Sequence, residues 1–515
     1  MTMLLQDLVV RQAERRPHAT AMVYGAKRLS YGELDAAANR LARTLVEAGC
    51  RKGDRVGFLY PKKPAAMVWM LGILKAGAMH VPLDVASPPE RLRRIVSSCE
   101  PRFILAAGPA APLAAQVQDL SRLAWMEESV PAGLRASFTL KDVARAPSDP
   151  ILCNTKAEDP AHILFTSGST GMPKGVVITH ANVMAFVNWG LKHFGLDHTD
   201  RVSGHTPLHF DLSTYDIFGA YAAGAELHVV PLETALLPHR LAEFMRTSRL
   251  TQLFSVPSVL NYMAKVDAVR QNDFPELRRV MWCGEVLATP VLAHWMRRLP
   301  HARFTNLYGP TETTVASSYY DVPACPEDPT ATIPIGVACD GEELVLLNDE
   351  IHIGGVGLSP GYWRDPQKTA AAFIPHPSRP GERLYRTGDL GRLRPDGRVE
   401  FIGRADTQIK SRGYRIELGE IEAALASLPQ LSESAVVAIP SQGFEQWQIC
   451  CAYVGMPGET LTPAALRTEL SHLIPGYMMP ARWAQYQALP RNANGKIDRP
   501  RLKENFAAGN VAWAA

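Results

Sequence analysis

Between two short apolar runs, Ala161-His-Ile-Leu-Phe165 and Val176-Val-Ile-Thr-His180, lies the stretch Thr166-Ser-Gly-Ser-Thr-Gly-Met-Pro-Lys-Gly175. Five of its ten residues carry a hydroxyl or an ammonium and three are glycine, so hydroxyls, unhindered backbone N–H groups and one cation converge on a single anion. Apolar runs of this length flanking such a loop read as strands, which makes the segment a hairpin-like flap with a phosphate cradle at its tip. The Walker arrangement is excluded, because Pro173 precedes Lys174 and Gly175 follows it where a Ser or Thr opening a helix is required. An ordinary polar turn needs only one or two glycines and no lysine.

The chain around this flap alternates strand and helix patterns. Arg55–Leu59, His80–Leu83 and Arg102–Ala106 read as strands, with a helix over 64–76; Ser30 and Glu33 have the spacing of a capping box before the helix that precedes them. After the flap come a helix from Asn182 to Phe194, strands at Leu227–Val230, Gln252–Val256, Arg279–Trp282 and Arg303–Leu307, and helices between them. Two α/β units with mainly parallel sheets follow. The proline- and alanine-rich stretch 108–160 reads as a surface excursion. Beyond Ser317, short strands (Glu343–Leu347, Glu350–Ile353, Arg398–Ile402) suggest a small β-barrel. From Asp406 a compact α+β pattern takes over. The expected fold is therefore α/β: a large N-terminal domain (1–405) of two α/β units plus a small β-barrel, then a small α+β C-terminal lid (406–515).

Composition narrows the function classes. A net charge of +3 in 515 residues, without a block of like charges, gives no reason to expect nucleic acid or an anionic membrane as partner. No apolar run reaches the roughly 18 to 20 residues of a bilayer span, and Met1–Val10 lacks the features of a secretory signal, so the cytoplasm is expected. The eight cysteines (50, 99, 153, 283, 325, 339, 450 and 451) have no Cys-x2-Cys spacing, which argues for buried thiols over a disulfide framework or zinc site.

Further motifs follow the flap in order: Tyr308-Gly-Pro-Thr-Glu312, Tyr385-Arg-Thr-Gly-Asp-Leu390, Gly403-Arg-Ala-Asp-Thr-Gln-Ile-Lys-Ser-Arg-Gly413 and Asn494-Gly-Lys496, with Leu74-Lys-Ala-Gly-Ala-Met-His-Val-Pro-Leu-Asp84 upstream. This series resembles the adenylate-forming superfamily, and within it the amino-acid-activating adenylation domains of nonribosomal peptide synthetases, enzymes of antibiotic biosynthesis; the likeness covers almost the whole chain. It implies a ligase using ATP and Mg²⁺ that makes an aminoacyl-AMP, releases pyrophosphate and passes the acyl group to a phosphopantetheine thiol. By position, Thr166, Ser167, Gly168, Ser169, Thr170, Gly171 and Lys174 would hold the β- and γ-phosphates, Tyr308 would stack on adenine, and Thr311 would meet the α-phosphate. Glu312 would ligate Mg²⁺, Asp389 would accept the ribose hydroxyls, and Arg404 would support the ribose and phosphate side. Lys496, with Thr311 and Lys174, would be catalytic, bridging substrate carboxylate and phosphate. Asp406 would be the hinge of a rotating lid.

Asp211 matches the family's partner for an α-amino group, although an aspartate before a helix is also an ordinary N-cap. The motif alignment lines the side-chain pocket with Leu212, Tyr215, Ser255, Met281, Cys283, Leu307, Val315 and Ala316. None of these is charged, and a buried unpaired charge costs several kcal/mol, so a small neutral amino acid is expected. The set resembles free-standing prolyl-carrier-protein ligases, which favours proline; alanine, glycine and cysteine stay open. Without a carrier-protein or condensation motif after Lys496, delivery to a separate carrier protein in trans is expected. A coenzyme A ligase for a small carboxylic acid, or a non-catalytic nucleotide-binding module, are the alternatives. The short interval between Gly336 and Ile353 also predicts a trimmed hairpin in the β unit.

Overall fold

In the computed structural model, residues 3–168, 171–441, 446–456, 461–492 and 496–509 are described. Three sheets carry the larger part of the chain. The first has eight strands in the spatial order Gly361–Tyr362, Lys174–Thr179, Pro160–Thr166, Met79–Leu83, Arg55–Leu59, Phe103–Ala106, Arg122–Trp125 and Ala136–Thr139. The second has nine: Val337–Ala338, Ser318–Asp321, Arg303–Tyr308, Arg279–Trp282, Gln252–Ser255, Arg201–Gly204, Glu226–Val229, Thr20–Tyr24 and Lys27–Ser30. Both are mainly parallel and helix-covered, as continuous apolar strands such as Phe103-Ile-Leu-Ala106, buried at every position, require. The helix Pro64–Lys75 starts on a proline and is buried on nearly every side, its terminal Lys75 held by Asp35 at 2.8 Å. The predicted capping box of the helix Tyr31–Glu47 is present, Ser30 N donating to Glu33 at 2.8 Å and Glu33 N to Ser30 Oγ at 3.2 Å.

The α/β fold class is as expected, and one local expectation is corrected. The N-terminal strand Thr20–Tyr24 pairs in parallel with Glu226–Val229, about two hundred residues away. The stretch 108–160 is not a surface excursion, because Arg122–Trp125 and Ala136–Thr139 extend the first sheet at its edge. Short strands of mixed polarity carry too little alternation to announce themselves. The third sheet has five strands: Glu342–Leu347, Glu350–Gly355, Arg383–Leu393 and Phe373–Pro375 in line, with Val399–Arg404 branching from Arg383–Leu393. Its first hairpin turns through Asn348 and Asp349, both at positive φ (51° and 62°), the two-residue turn that matches strand twist and accounts for the short interval.

By packing, the chain divides into two compact units, 1–85 with 96–164 and 175–403, and 86–95 with 165–174 and 404–515. In the second, the hairpin Gln408–Ser411/Tyr414–Glu417 turns through Arg412 and Gly413, both at positive φ, and the helix Leu418–Ala426 and sheet Leu431–Pro440, Trp447–Gly455, Arg482–Gln485 follow. Among the described residues no helix is long and apolar enough to cross a membrane.

The first unit buries three histidines together. His80 and His162 are register partners on adjacent strands with rings 5.0 Å apart, and His180 accepts from Leu5 N at 3.3 Å. Burial, reinforced by the neighbouring imidazoles, holds His80 well below its ordinary value and His162 at about 3; burial, partly offset by Asp159, brings His180 to about 4. An unfolded histidine protonates near pH 6.5, so below that pH the unfolded chain binds more protons and stability falls as pH drops toward about 4. Each histidine is expected to cost about 1.4 kcal/mol per pH unit below about 6.5. Urea unfolding at pH 7.5 and 5.5 checks this: the midpoint should drop sharply, with a smaller drop in His162→Gln, whereas equal drops in both proteins contradict the assignment.

Candidate functional site

The strand Arg303–Tyr308 ends on a glycine that nothing else can replace: a Cβ on Gly309 would stand 2.6 Å from the Ala316 backbone. The chain then makes the short 3-10 turn Thr311–Thr313 and continues through Thr314 and Val315 at φ 62° and 69°. Two β-branched residues in the left-handed region are strained, which neighbouring contacts must impose. One such contact is Thr314 Oγ1, which donates to Gly357 O at 2.7 Å.

This tight excursion aims three side chains in succession at three partners. The Tyr308 hydroxyl donates to Asp389 Oδ2 at 2.7 Å, Thr311 Oγ1 donates to Asp211 Oδ2 at 2.6 Å, and Glu312 Oε1 accepts from the Tyr362 hydroxyl at 2.8 Å. Asp389, Asp211 and Tyr362 come from the strand Arg383–Leu393, the N-terminus of the helix Leu212–Ala223 and the strand Gly361–Tyr362. Four expected site residues, Tyr308, Thr311, Asp211 and Asp389, are thereby linked in pairs, with Glu312 fully buried beside them. The N-cap reading of Asp211 is corrected: it stands at the cap position but makes no capping hydrogen bond, its carboxylate receiving Thr311 instead. Tyr362, which sequence reasoning missed, sits in a Gly-Tyr-Trp triplet without any spacing that marks it.

All eight expected pocket residues are buried, and the seven apart from Ser255 belong to one apolar cluster. Tyr215 lies across Gly190, where a Cβ would stand 2.6 Å from its hydroxyl, and its ring meets Phe186 and Phe254 edge-on at 5.3 and 6.1 Å. Ser255 Oγ stands 3.3 Å from His205 Nδ1, and Cys283 Sγ is 3.7 Å from Val315 O. His205 was not foreseen; burial, with Lys62 nearby, brings its pKa to about 3 and keeps it neutral. Burial also pushes the Tyr215 phenol up. The pocket wall thus carries no net charge.

Within the second unit, the glycine loop is held by its own set of contacts. Ser167 Oγ donates to Arg415 O at 2.6 Å, Gly168 N donates to Glu420 Oε2 at 3.3 Å, and Glu420 also forms a buried ion pair with Arg91. Gly168 admits no side chain, since a Cβ would collide with Met172 O, and Gly171 turns at φ 77°. Thr166 Oγ1 is buried and has no hydrogen-bond partner among the described residues, the kind of orphan donor an anion satisfies. Ser169 and Thr170 lie outside the described residues. Arg404 grips Asp406 through two hydrogen bonds of 2.7 and 2.6 Å. Burial raises the Asp406 pKa, but the guanidinium and Gln408 N outweigh it and leave the carboxyl below its ordinary value. Lys496 is exposed; its backbone N–H donates to Asn492 Oδ1 at 3.1 Å and its carbonyl accepts from Asn492 N at 2.8 Å.

Comparison with known proteins gives the family. The sequence profile of the AMP-binding enzyme family matches residues 9–363, and that of the AMP-binding enzyme C-terminal domain matches 420–496. Surfactin synthase subunit 2 of Bacillus subtilis is 36% identical over 97% of this chain, and tyrocidine synthase 1 of Brevibacillus parabrevis 32% identical over 99%. The chain spans only 14% and 46% of those two proteins. Among solved structures, holo-PA1221, an NRPS protein containing adenylation and PCP domains, superposes with a TM-score of 0.80 at 26% identity, covering 97% of this chain and 84% of that one. The chain belongs to the AMP-binding enzyme family of adenylate-forming ligases, among the adenylation domains of nonribosomal peptide synthetases.

Proposed function

We propose that this chain activates a small neutral amino acid with ATP, proline first, with alanine, glycine or cysteine as the other candidates, and delivers it to the phosphopantetheine thiol of a carrier protein. The observation that carries the reading is the 2.6 Å bond from Thr311 to Asp211. It ties the residue suited to an α-phosphate to the carboxylate suited to an α-ammonium. An amino acid paired with Asp211 then has its own carboxylate, two bonds from the amine, directed at the α-phosphorus. A carboxylate oxygen forms the new P–O bond, the bond to the β-phosphate breaks, and pyrophosphate leaves. In the second step the thiol attacks the acyl carbon and AMP departs.

Roles follow from chemistry and position. Thr166, Ser167, Gly168 and Gly171, with Lys174 and the residues 169 and 170, would hold the departing phosphates. Tyr308 offers a face to adenine, while Asp389, oriented by the Tyr308 hydroxyl, suits the ribose hydroxyls. Lys496 would neutralise charge between carboxylate and α-phosphate, Arg404 would support the ribose side, and Asp406 would be the hinge on which residues 406–515 act as a lid over the core 1–405. Mg²⁺ fits the donor set: among the described residues no group of three or more acidic, histidine or cysteine side chains forms a cage, but Glu312 supplies one oriented carboxylate. Mg²⁺ commonly takes one carboxylate and completes its shell with phosphate oxygens and water, and bound there it would neutralise charge on the phosphates. Asp211 favours this reading over coenzyme A ligation of a simple acid, which brings no ammonium group to that carboxylate.

ATP–pyrophosphate exchange across the twenty amino acids and a set of simple carboxylic acids tests the proposal. Exchange is expected with one or a few small neutral amino acids; exchange with a simple acid alone contradicts it. Lys496→Ala should lower exchange about a hundredfold or more and affect thiolation from preformed aminoacyl-AMP far less, whereas equal loss in both steps refutes the lid role. Glu312→Gln should raise the Mg²⁺ concentration needed for half-maximal exchange severalfold; an unchanged requirement removes Glu312 from the metal site.

A further inference from the structure

Lys62 lies in the first α/β layer, two residues before the helix Pro64–Lys75, yet its ammonium is spent in the second. Nζ donates to three consecutive carbonyls, Gly204 O at 2.5 Å, His205 O, and Thr206 O at 3.1 Å. Three acceptors take all three ammonium protons, so the contact requires the charged form. The same segment also meets Asp216, from the first turns of the helix Leu212–Ala223. Its Oδ2 accepts from Thr206 Oγ1 at 3.2 Å. Burial pulls Lys62 down to about 7 and pushes Asp216 up, and the charge of each offsets only part of the shift in the other.

The clamped segment is the end of the strand Arg201–Gly204 and the start of the loop that leads to Asp211. His205, pinned through its own carbonyl, presents Nδ1 to the pocket residue Ser255 at 3.3 Å. Five residues beyond Thr206 the loop delivers Asp211 to Thr311. We propose that Lys62 is a positioning residue for amino-acid recognition: with Asp216 it clamps Gly204–Thr206 and thereby fixes both the His205–Ser255 wall and the approach of Asp211. The inference rests on the amino-acid adenylation reading above. Lys62 touches neither substrate; it acts through the loop.

The test separates the two substrates. Exchange is measured with whichever of the twenty amino acids the wild-type protein uses fastest, titrating amino acid and ATP in turn. In Lys62→Met the KM for the amino acid should rise tenfold or more, the KM for ATP should stay within twofold, and adding propylammonium to Lys62→Ala should recover part of the loss. If Lys62→Met does not fold, Thr206→Val removes one contact to Asp216 and leaves the carbonyl of residue 206 in place; the same selective rise, about threefold or more, is expected. Parallel rises in both KM values, or unchanged values in a folded variant, overturn the proposal. A wild-type protein without amino-acid-dependent exchange overturns the adenylation reading and this proposal with it, an outcome distinct from active protein indifferent to Lys62.

Discussion

The hydrogen bond from Thr311 to Asp211 joins two parts of the chain a hundred residues apart, and most of the site's construction serves it. Thr311 reaches its partner because the backbone after Tyr308 doubles back so closely that only glycine fits at position 309 and two β-branched residues are forced to positive φ. Asp211 reaches it because its carboxylate is withheld from the helix it precedes. An unused N-cap forgoes about 1 kcal/mol of helix stability. That sacrifice, with the strain at Thr314 and Val315, marks a place where local stability yields to the geometry of a site.

Around this bond the polar groups are arranged as separate pairs, each taking one side chain from the 308–312 excursion and one from elsewhere. Tyr308 orients Asp389, and Tyr362 orients Glu312, so each candidate ligand group is held by a neutral hydroxyl. A hydroxyl fixes a carboxylate without neutralising it. The loop behind Asp211 is treated differently. There a lysine and an aspartate are both buried, the lysine on the carbonyls of residues 204–206 and the aspartate on the Thr206 hydroxyl. Breaking either half would leave an uncompensated charge, so the clamp makes the loop's position close to all-or-none.

Much of this was legible in the sequence where it resides in contiguous motifs. Tyr308, Thr311 and Glu312 stand in one short run, and the three pairings that involve them gather residues already singled out, apart from Tyr362. Patterns that depend on distant partners were not legible. Thr20–Tyr24 has the composition of a strand, but nothing in it names Glu226–Val229 as its neighbour. Lys62 stands beside Lys63 and before a proline, and so looks like one of two solvated lysines at a helix start; only the fold supplies the three carbonyls that bury it. His205 carries no spacing signal, and the strands within 108–160 are too short and too mixed to show periodicity.

The central claim, that amine recognition and phosphate chemistry are coupled through one bond, is tested most directly by a double-mutant cycle on amino-acid-dependent ATP–pyrophosphate exchange. Asp211→Asn, Thr311→Val and the double variant are compared with wild type by kcat/KM for the amino acid. Residues that act through a shared contact give a coupling energy of at least about 1 kcal/mol, the double variant losing less than the sum of the single losses. Losses that add to within about 0.3 kcal/mol would show that Asp211 and Thr311 serve their substrates independently and would contradict the account.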